Sequence, residues 1–204
     1  AVQYNWRNTK TTSFSDQTSR ANITDPVTTG INGKIGNSES YGYQITNTVT
    51  YNDTFGENHK INALIGQELV YSQSENNNMT LIKFPFPNFG LDDISTATVS
   101  AKSTDRSSTG LMSYFGRVTY NYNDRYLLTA TVRRDGSSKF GPNKKWGTFP
   151  SVAGAWRLSQ ESFWQDSKIN NVVNDLKLRV EYGVTGNNDI GNNLYLTTYS
   201  ITDY

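Results

Sequence analysis

The sequence predicts an all-β fold of antiparallel, up-and-down strands, and three observations lead there. Apolar and polar residues alternate with period two in segments rich in Tyr, Val and Thr. No stretch carries a long apolar stripe at helical spacing. The connections alternate between long and short, as they do when antiparallel strands place successive turns at opposite ends.

Strands are expected near 1–11, 40–52, 60–72, 110–122, 125–134, 148–158, 176–185 and 194–204. In the second, Tyr41, Tyr43, Ile45, Val49 and Tyr51 oppose Gln44, Thr46, Thr48 and Thr50. In the third, Ile61, Ala63, Ile65, Leu69 and Tyr71 oppose Lys60, Asn62, Gly66 and Glu68, with Leu64 and Val70 off parity. In the fourth, Met112, Tyr114, Val118, Tyr120 and Tyr122 share a parity with Gly116, while Ser113, Arg117, Thr119 and Asn121 take the other along with Phe115. Tyr126, Leu128, Ala130 and Val132 then oppose Thr129, Thr131, Arg133 and Asp135. Leu176, Leu178, Val180, Tyr182 and Val184 oppose Lys177, Arg179, Glu181, Gly183 and Thr185 almost without error.

Strands of about 10 residues, at ~3.3 Å per residue and a tilt near 40°, cover roughly 25 Å, the height of the apolar band of an outer-membrane barrel. Strands of soluble sandwiches are typically shorter. Long connections at 12–39, 73–109, 135–147 and 186–193 are expected at one end, and short ones at 53–59 and Asn123-Asp124 at the other. The connection 159–175 is long where a short turn is expected, and its start, Ser159-Gln160-Glu161-Ser162, reads as a capped helical turn.

Composition bounds the function. The chain has 204 residues, and 19 Lys+Arg against 18 Asp+Glu leave a net charge of +1, so no global field draws in nucleic acid. Without cysteine there is no disulfide, thiol nucleophile or Cys-ligated metal, and the single histidine, His59, excludes a His-rich metal site. Ala1–Trp6 has neither the basic start nor the apolar core of a secretory leader. The mean hydropathy of −0.63 averages over both faces of every strand, so it is compatible with a transmembrane barrel whose lumen is polar.

Catalysis finds little support. The neighbours Asp92 and Asp93 would point to opposite faces of a strand, His59 lacks a spaced Ser or Asp partner, and a meeting of Asp135 and Glu161 in space as a glycosidase pair is not something sequence spacing shows. No catalytic residue, metal or cofactor is expected. Arg134-Asp135-Gly136-Ser137-Ser138 reads as a turn ending a strand, since it lacks the further acidic residues of a calcium loop. Lys144-Lys145-Trp146 is too short a basic stretch for a nucleic-acid patch. Phe84, Phe86 and Phe89, on a proline-containing loop, and Trp146 are the candidate contacts to a ligand or partner, although the phenylalanines also suit packing of that loop onto its neighbours. Tyr41, Tyr51, Tyr120, Tyr122, Tyr126, Trp146, Trp156 and Tyr182 are candidates for an interfacial aromatic girdle.

Several of these stretches carry a resemblance when taken together. Leu111-Met112-Ser113-Tyr114-Phe115-Gly116-Arg117-Val118-Thr119-Tyr120-Asn121-Tyr122 leads into Asp124-Arg125-Tyr126-Leu127-Leu128-Thr129-Ala130. Arg134-Asp135-Gly136-Ser137-Ser138-Lys139-Phe140-Gly141, Trp146-Gly147-Thr148-Phe149-Pro150-Ser151, Ala155-Trp156-Arg157-Leu158 and Glu161-Ser162-Phe163 follow. The last is Leu176-Lys177-Leu178-Arg179-Val180-Glu181-Tyr182-Gly183-Val184-Thr185-Gly186-Asn187. This order and spacing, over about 110–190, resembles the barrel of SusC/RagA-type TonB-dependent outer-membrane transporters of Bacteroidetes.

The resemblance implies a large plugged transmembrane barrel in the bacterial outer membrane, working with a SusD-like surface lipoprotein that captures glycan or peptide, and driven through TonB. Residues 1–204 would be a barrel segment of about eight strands, without the plug domain and without the part that contacts the TonB complex. Arg117, Arg133, Arg179 and Glu181 would face the lumen or the plug, and the apolar parity would face outer-membrane lipid. Two other readings remain open on the residues: a self-closed eight-stranded outer-membrane barrel, and a soluble β-sandwich that binds glycans. The outward residues Tyr114, Val118, Leu128, Val132, Leu178 and Val180 distinguish them, touching lipid in a barrel and a core in a sandwich.

Overall fold

The computed structural model describes residues 1–16, 31–192 and 194–196. Seven strands form one sheet in chain order: β1 (Val2–Ser15), β2 (Asn32–Phe55), β3 (His59–Ile82), β4 (Thr98–Tyr122), β5 (Tyr126–Ser137), β6 (Trp146–Arg157) and β7 (Lys177–Gly183). Each strand therefore pairs with its sequence neighbour, and β1 and β7 stand at the two ends of the order. Of the eighth expected strand, 197–204 lie outside the described residues, and 194–196 form a turn and bend.

The strands β2, β3 and β4 run to 24, 24 and 25 residues, nearly twice the expected length. Residues 32–39, 73–82 and 98–109, expected in loops, are strand, while 17–30 lie outside the described residues. The physical reason is that these extensions are polar on both faces, so they lack the alternation that marks a strand with one apolar side. Their side chains bond across strands instead. Thr104 donates to Asn77 at 2.8 Å, Arg106 to Glu75 at 2.9 Å through Nε, and Ser74 and Ser107 lie 3.0 Å apart.

The chain divides into two compact units, one of 1–3, 44–70 and 109–204, the other of 4–43 and 71–108. The second has a small apolar core of its own. Leu81 is 1% exposed and Phe84 6%, and Phe14 meets Phe84 edge-on at 5.2 Å. A side chain at Gly33 would run into Leu91 at 2.5 Å and the Phe84 ring at 3.1 Å, so this core needs a glycine there.

In the first unit, the connections 56–58, 123–125 and 158–176 lie at one end of the strands and 138–145 at the other. Asn123 and Asp124 both take positive φ (52° and 54°) and Arg125 N–H donates to the Tyr122 carbonyl at 3.0 Å, closing the tight 123–125 turn between β4 and β5. The irregular 158–176 connection holds a 3₁₀ turn (Leu158–Gln160), a one-turn helix α1 (Ser162–Gln165) and a second 3₁₀ turn (Lys168–Asn171). The helical turn is present, but no side chain caps it: Glu161 stands at the N-cap position and its carboxylate is engaged elsewhere.

Candidate functional site

The register of β4 to β7 sorts the side chains onto two faces. Tyr114 lies beside Arg134 and Thr148, Val118 beside Ala130 and Val152, and Tyr122 beside Tyr126, Trp156 and Leu178. On the other face, Phe115 lies beside Arg133 and Phe149, and Thr129 beside Ala153 and Glu181. Along β5 Tyr126, Leu128, Ala130 and Val132 are exposed while Thr129, Thr131, Arg133 and Asp135 are half-buried, the reverse of a soluble protein. Tyr114 is 45% exposed, Leu128 50% and Val180 69%. A soluble sandwich would cover this face with a second sheet, and among the described residues only Leu81 and Phe84 are fully buried hydrophobics.

Aromatic rings border the outward face at both ends. At the short-turn end His59, Tyr122, Tyr126 and Trp156 form a continuous row, with ring centroids 4.9, 6.3 and 6.4 Å apart, and His59 Nδ1 meets the Tyr120 hydroxyl at 2.7 Å. At the other end Tyr114 stacks on Trp146 at 6.1 Å, and the Arg134 guanidinium lies 5.4 Å above the Trp146 ring. Trp146 is thus on the outward face, laid across Gly136, where a Cβ would come within 2.9 Å of the indole. Between the rows, from Tyr114 to Tyr122, eight residues rise roughly 26 Å along the strand, or about 20 Å across a bilayer after tilt. Tyr51 and Tyr182 are exposed, and Tyr41 belongs to the other unit, where its hydroxyl donates to Gln73 at 2.9 Å.

Glu161 fixes the short-turn row from below. Its carboxylate accepts from the Tyr126 hydroxyl at 2.7 Å and the Trp156 indole at 3.0 Å, and pairs with Arg125 at 3.3 Å. Those hydrogen bonds, first the one from Tyr126, hold its carboxyl below the usual glutamate range. In the neighbouring turn Asp124 is lowered in the same way by Lys60, 2.8 Å away, and by Asn121.

The inner face is charged and connected. Arg133 donates through Nε to Asp135 at 2.8 Å and through one terminal nitrogen to Glu68 at 3.0 Å and Ser113 at 2.9 Å. Gln44 donates to the same Glu68 carboxylate at 2.6 Å, so one network spans β2 to β5. The Arg133 guanidinium also rests 5.7 Å from the centre of the Phe115 ring. Arg179 and Glu181 pair with each other at 2.5 Å, and Arg117 shares the inner parity of Phe115 with no ion pair among the described residues. A hollow of about 590 Å³ opens on this side at the long-loop end, lined by Arg133, Asp135, Phe140, Phe149 and Asn187 among others. Phe149 lies over Gly147 and Gly186, where side chains would collide with its ring.

The loop phenylalanines divide. Phe84 is buried, whereas Phe86 and Phe89 stand exposed around the 3₁₀ turn Pro87–Phe89. Spacing alone does not reveal Glu68, Ser113 and Asp135 as partners of Arg133, because strand register decides which parities meet. For the same reason spacing does not show that Glu161 meets Tyr126, Trp156 and Arg125. No group of three His, Asp or Glu side chains among the described residues is placed to hold a metal ion.

No family model matches the chain. A TonB-dependent receptor of Formosa agariphila is 34% identical over 92% of this chain, which covers 18% of that receptor. The TonB-dependent receptor SusC of Bacteroides thetaiotaomicron is 47% identical over 94 residues, 46% of this chain and 9% of SusC. The RagAB peptide transporter superposes with a TM-score of 0.80 at 24% identity, covering 94% of this chain and 21% of that one. The RagAB peptide importer in its open-open state gives 0.79 at 23% identity, over 100% of this chain and 22% of the other. The chain thus spans about a fifth of the length of these relatives. TonB-dependent receptors are outer-membrane proteins, not enzymes. Sequence similarity along nearly its whole length, together with a sheet that matches part of the RagA barrel, shows that this chain belongs to the SusC/RagA-type TonB-dependent receptors of the bacterial outer membrane.

Proposed function

We propose that the wall formed by residues 1–204 belongs to a nutrient importer that takes up glycans or peptides, with a SusD-like lipoprotein at its outer end and TonB supplying the energy. In this reading the plug and the TonB-contacting segment belong to other parts of the parent protein. The observation that carries it is the inverted sheet: an exposed apolar face between two aromatic rows, backed by a charged inner face. That pairing suits a wall between lipid and an aqueous, substrate-handling lumen. The inner hollow supports the choice of cargo, since the Phe149 ring beside Arg133, Asp135 and Asn187 offers an apolar plate with hydrogen-bonding groups around it, as sugars and peptides require. The exposed Phe86 and Phe89 suit a partner at the surface.

The test is deletion of the gene for the full-length parent, followed by growth on defined glycans and peptides. Loss of growth on one cargo class, reproduced by deleting tonB, is the expected result. Unchanged growth and uptake on every cargo, with no lipoprotein co-purifying with the tagged parent, would sink the proposal.

A further inference from the structure

On the outward face, next to the Tyr114–Trp146 row, lies a groove of about 580 Å³. Val49 and Ile65 wall it on one side and Val132 on the other, with Gly116 as its floor. A Cβ on Gly116 would find no atom nearer than 3.7 Å, so the floor is low because a side chain is missing and not because neighbours crowd it. The groove continues toward the middle of the strands as a second apolar hollow of about 280 Å³ beside Ala63, Val118 and Ala130. Its rim at the aromatic row is polar, made by Asn47, Gln67 and Arg134.

Arg134 is the distinctive member. It points to the lipid side by register, its guanidinium lies over Trp146, and it pairs with no carboxylate among the described residues. A cation at the edge of an apolar band is costly unless an anion meets it, and a guanidinium fork fits phosphate oxygens two at a time. The groove below it accepts hydrocarbon. Arg134 lies at the long-loop end, which in outer-membrane barrels is the extracellular side.

We infer that this groove is a binding site for a phosphate-headed lipid of the outer leaflet, with an acyl chain lying along Gly116 and the phosphate held by Arg134, Asn47 and Gln67. A smooth lipid-facing wall would place only loosely held lipid here. This site holds one molecule in register with the barrel, and it rests on the membrane placement of the sheet, not on the identity of the cargo.

The test uses the full-length transporter in detergent, incubated with phosphatidylglycerol or with diacylglycerol of the same chains, and reads retained lipid by native mass spectrometry. The unaltered protein is expected to keep phosphatidylglycerol in preference. Arg134→Gln lowers that retention about tenfold and leaves diacylglycerol unchanged. Gly116→Val fills the groove and lowers both. Heat-modifiable migration shows that each variant is a folded barrel. A folded Arg134→Gln protein that keeps phosphatidylglycerol as well as the unaltered one overturns the site, and so does a folded Gly116→Val protein with unchanged retention of both lipids. Either result leaves the import reading standing, because that reading fails on growth and uptake.

Discussion

Arg133 bonds to Glu68, Ser113 and Asp135 on three different strands, so its removal frees two carboxylates on the inner face at once. Arg133→Met is expected to destabilise the barrel by about 1–2 kcal/mol, between the worth of an exposed pair and of a part-buried charged network. Arg133→Lys recovers only part of this, since an ammonium lacks the fork that reaches both acids. The check is the urea midpoint of the full-length protein in lipid vesicles. Glu161 gives a pH signature. Its carboxyl lies below the ordinary glutamate value when folded, so its stabilisation is present above that ordinary value and is lost as pH falls through the lowered one. Urea midpoints of the unaltered protein should drop across this acid window, while those of Glu161→Gln should vary less because the titrating group is gone. Parallel curves for the two proteins would refute the anchor.

At the scale of the strand, two glycines of opposite parity make opposite predictions. A Cβ at Gly66 would strike the Phe115 ring and lie 3.1 Å from the Asn47 carbonyl, and Phe115 has little room because Arg133 rests against it. Gly66→Ala is therefore expected to cost about 1–3 kcal/mol despite the better strand propensity of alanine. Gly116→Ala meets only ordinary contacts and should be neutral or stabilising by up to ~1 kcal/mol. Equal effects of the two in denaturant titration would mean that the faces are wrongly assigned. The tight hairpin Asn123-Asp124 was legible in the sequence because positive φ at both positions favours Asn and Asp. The far halves of β2, β3 and β4 were not, because polar residues on both faces leave no periodic signal and cross-strand pairs such as Thr104–Asn77 are invisible until register is known.

For the whole sheet, the bilayer is the missing solvent. Ala130 lies midway between the two aromatic rows on the outward face, and Thr131 next to it faces inward. Ala130→Arg should cost about 2–4 kcal/mol in lipid vesicles, whereas Thr131→Glu should cost little, since it projects on the polar side directly opposite Arg117. Matching losses for the two, measured by urea unfolding of the full-length protein, would contradict the membrane placement.

The sequence by itself determined the all-β class, the two faces of the alternating strand segments and the family, because period-two alternation and the ordered motifs of 110–190 are local properties of the chain. It also put Arg117, Arg133, Arg179 and Glu181 on the parity opposite the apolar residues. Tertiary structure alone decided which of these meet: Arg133 joins Glu68 across two strand boundaries, Arg179 and Glu181 pair with each other, and Trp146 turns outward over Gly136 beneath Arg134. The physical reason is that a strand fixes the side on which each residue projects, while the neighbours it finds there depend on register, and register is set by turns and partner strands far along the chain.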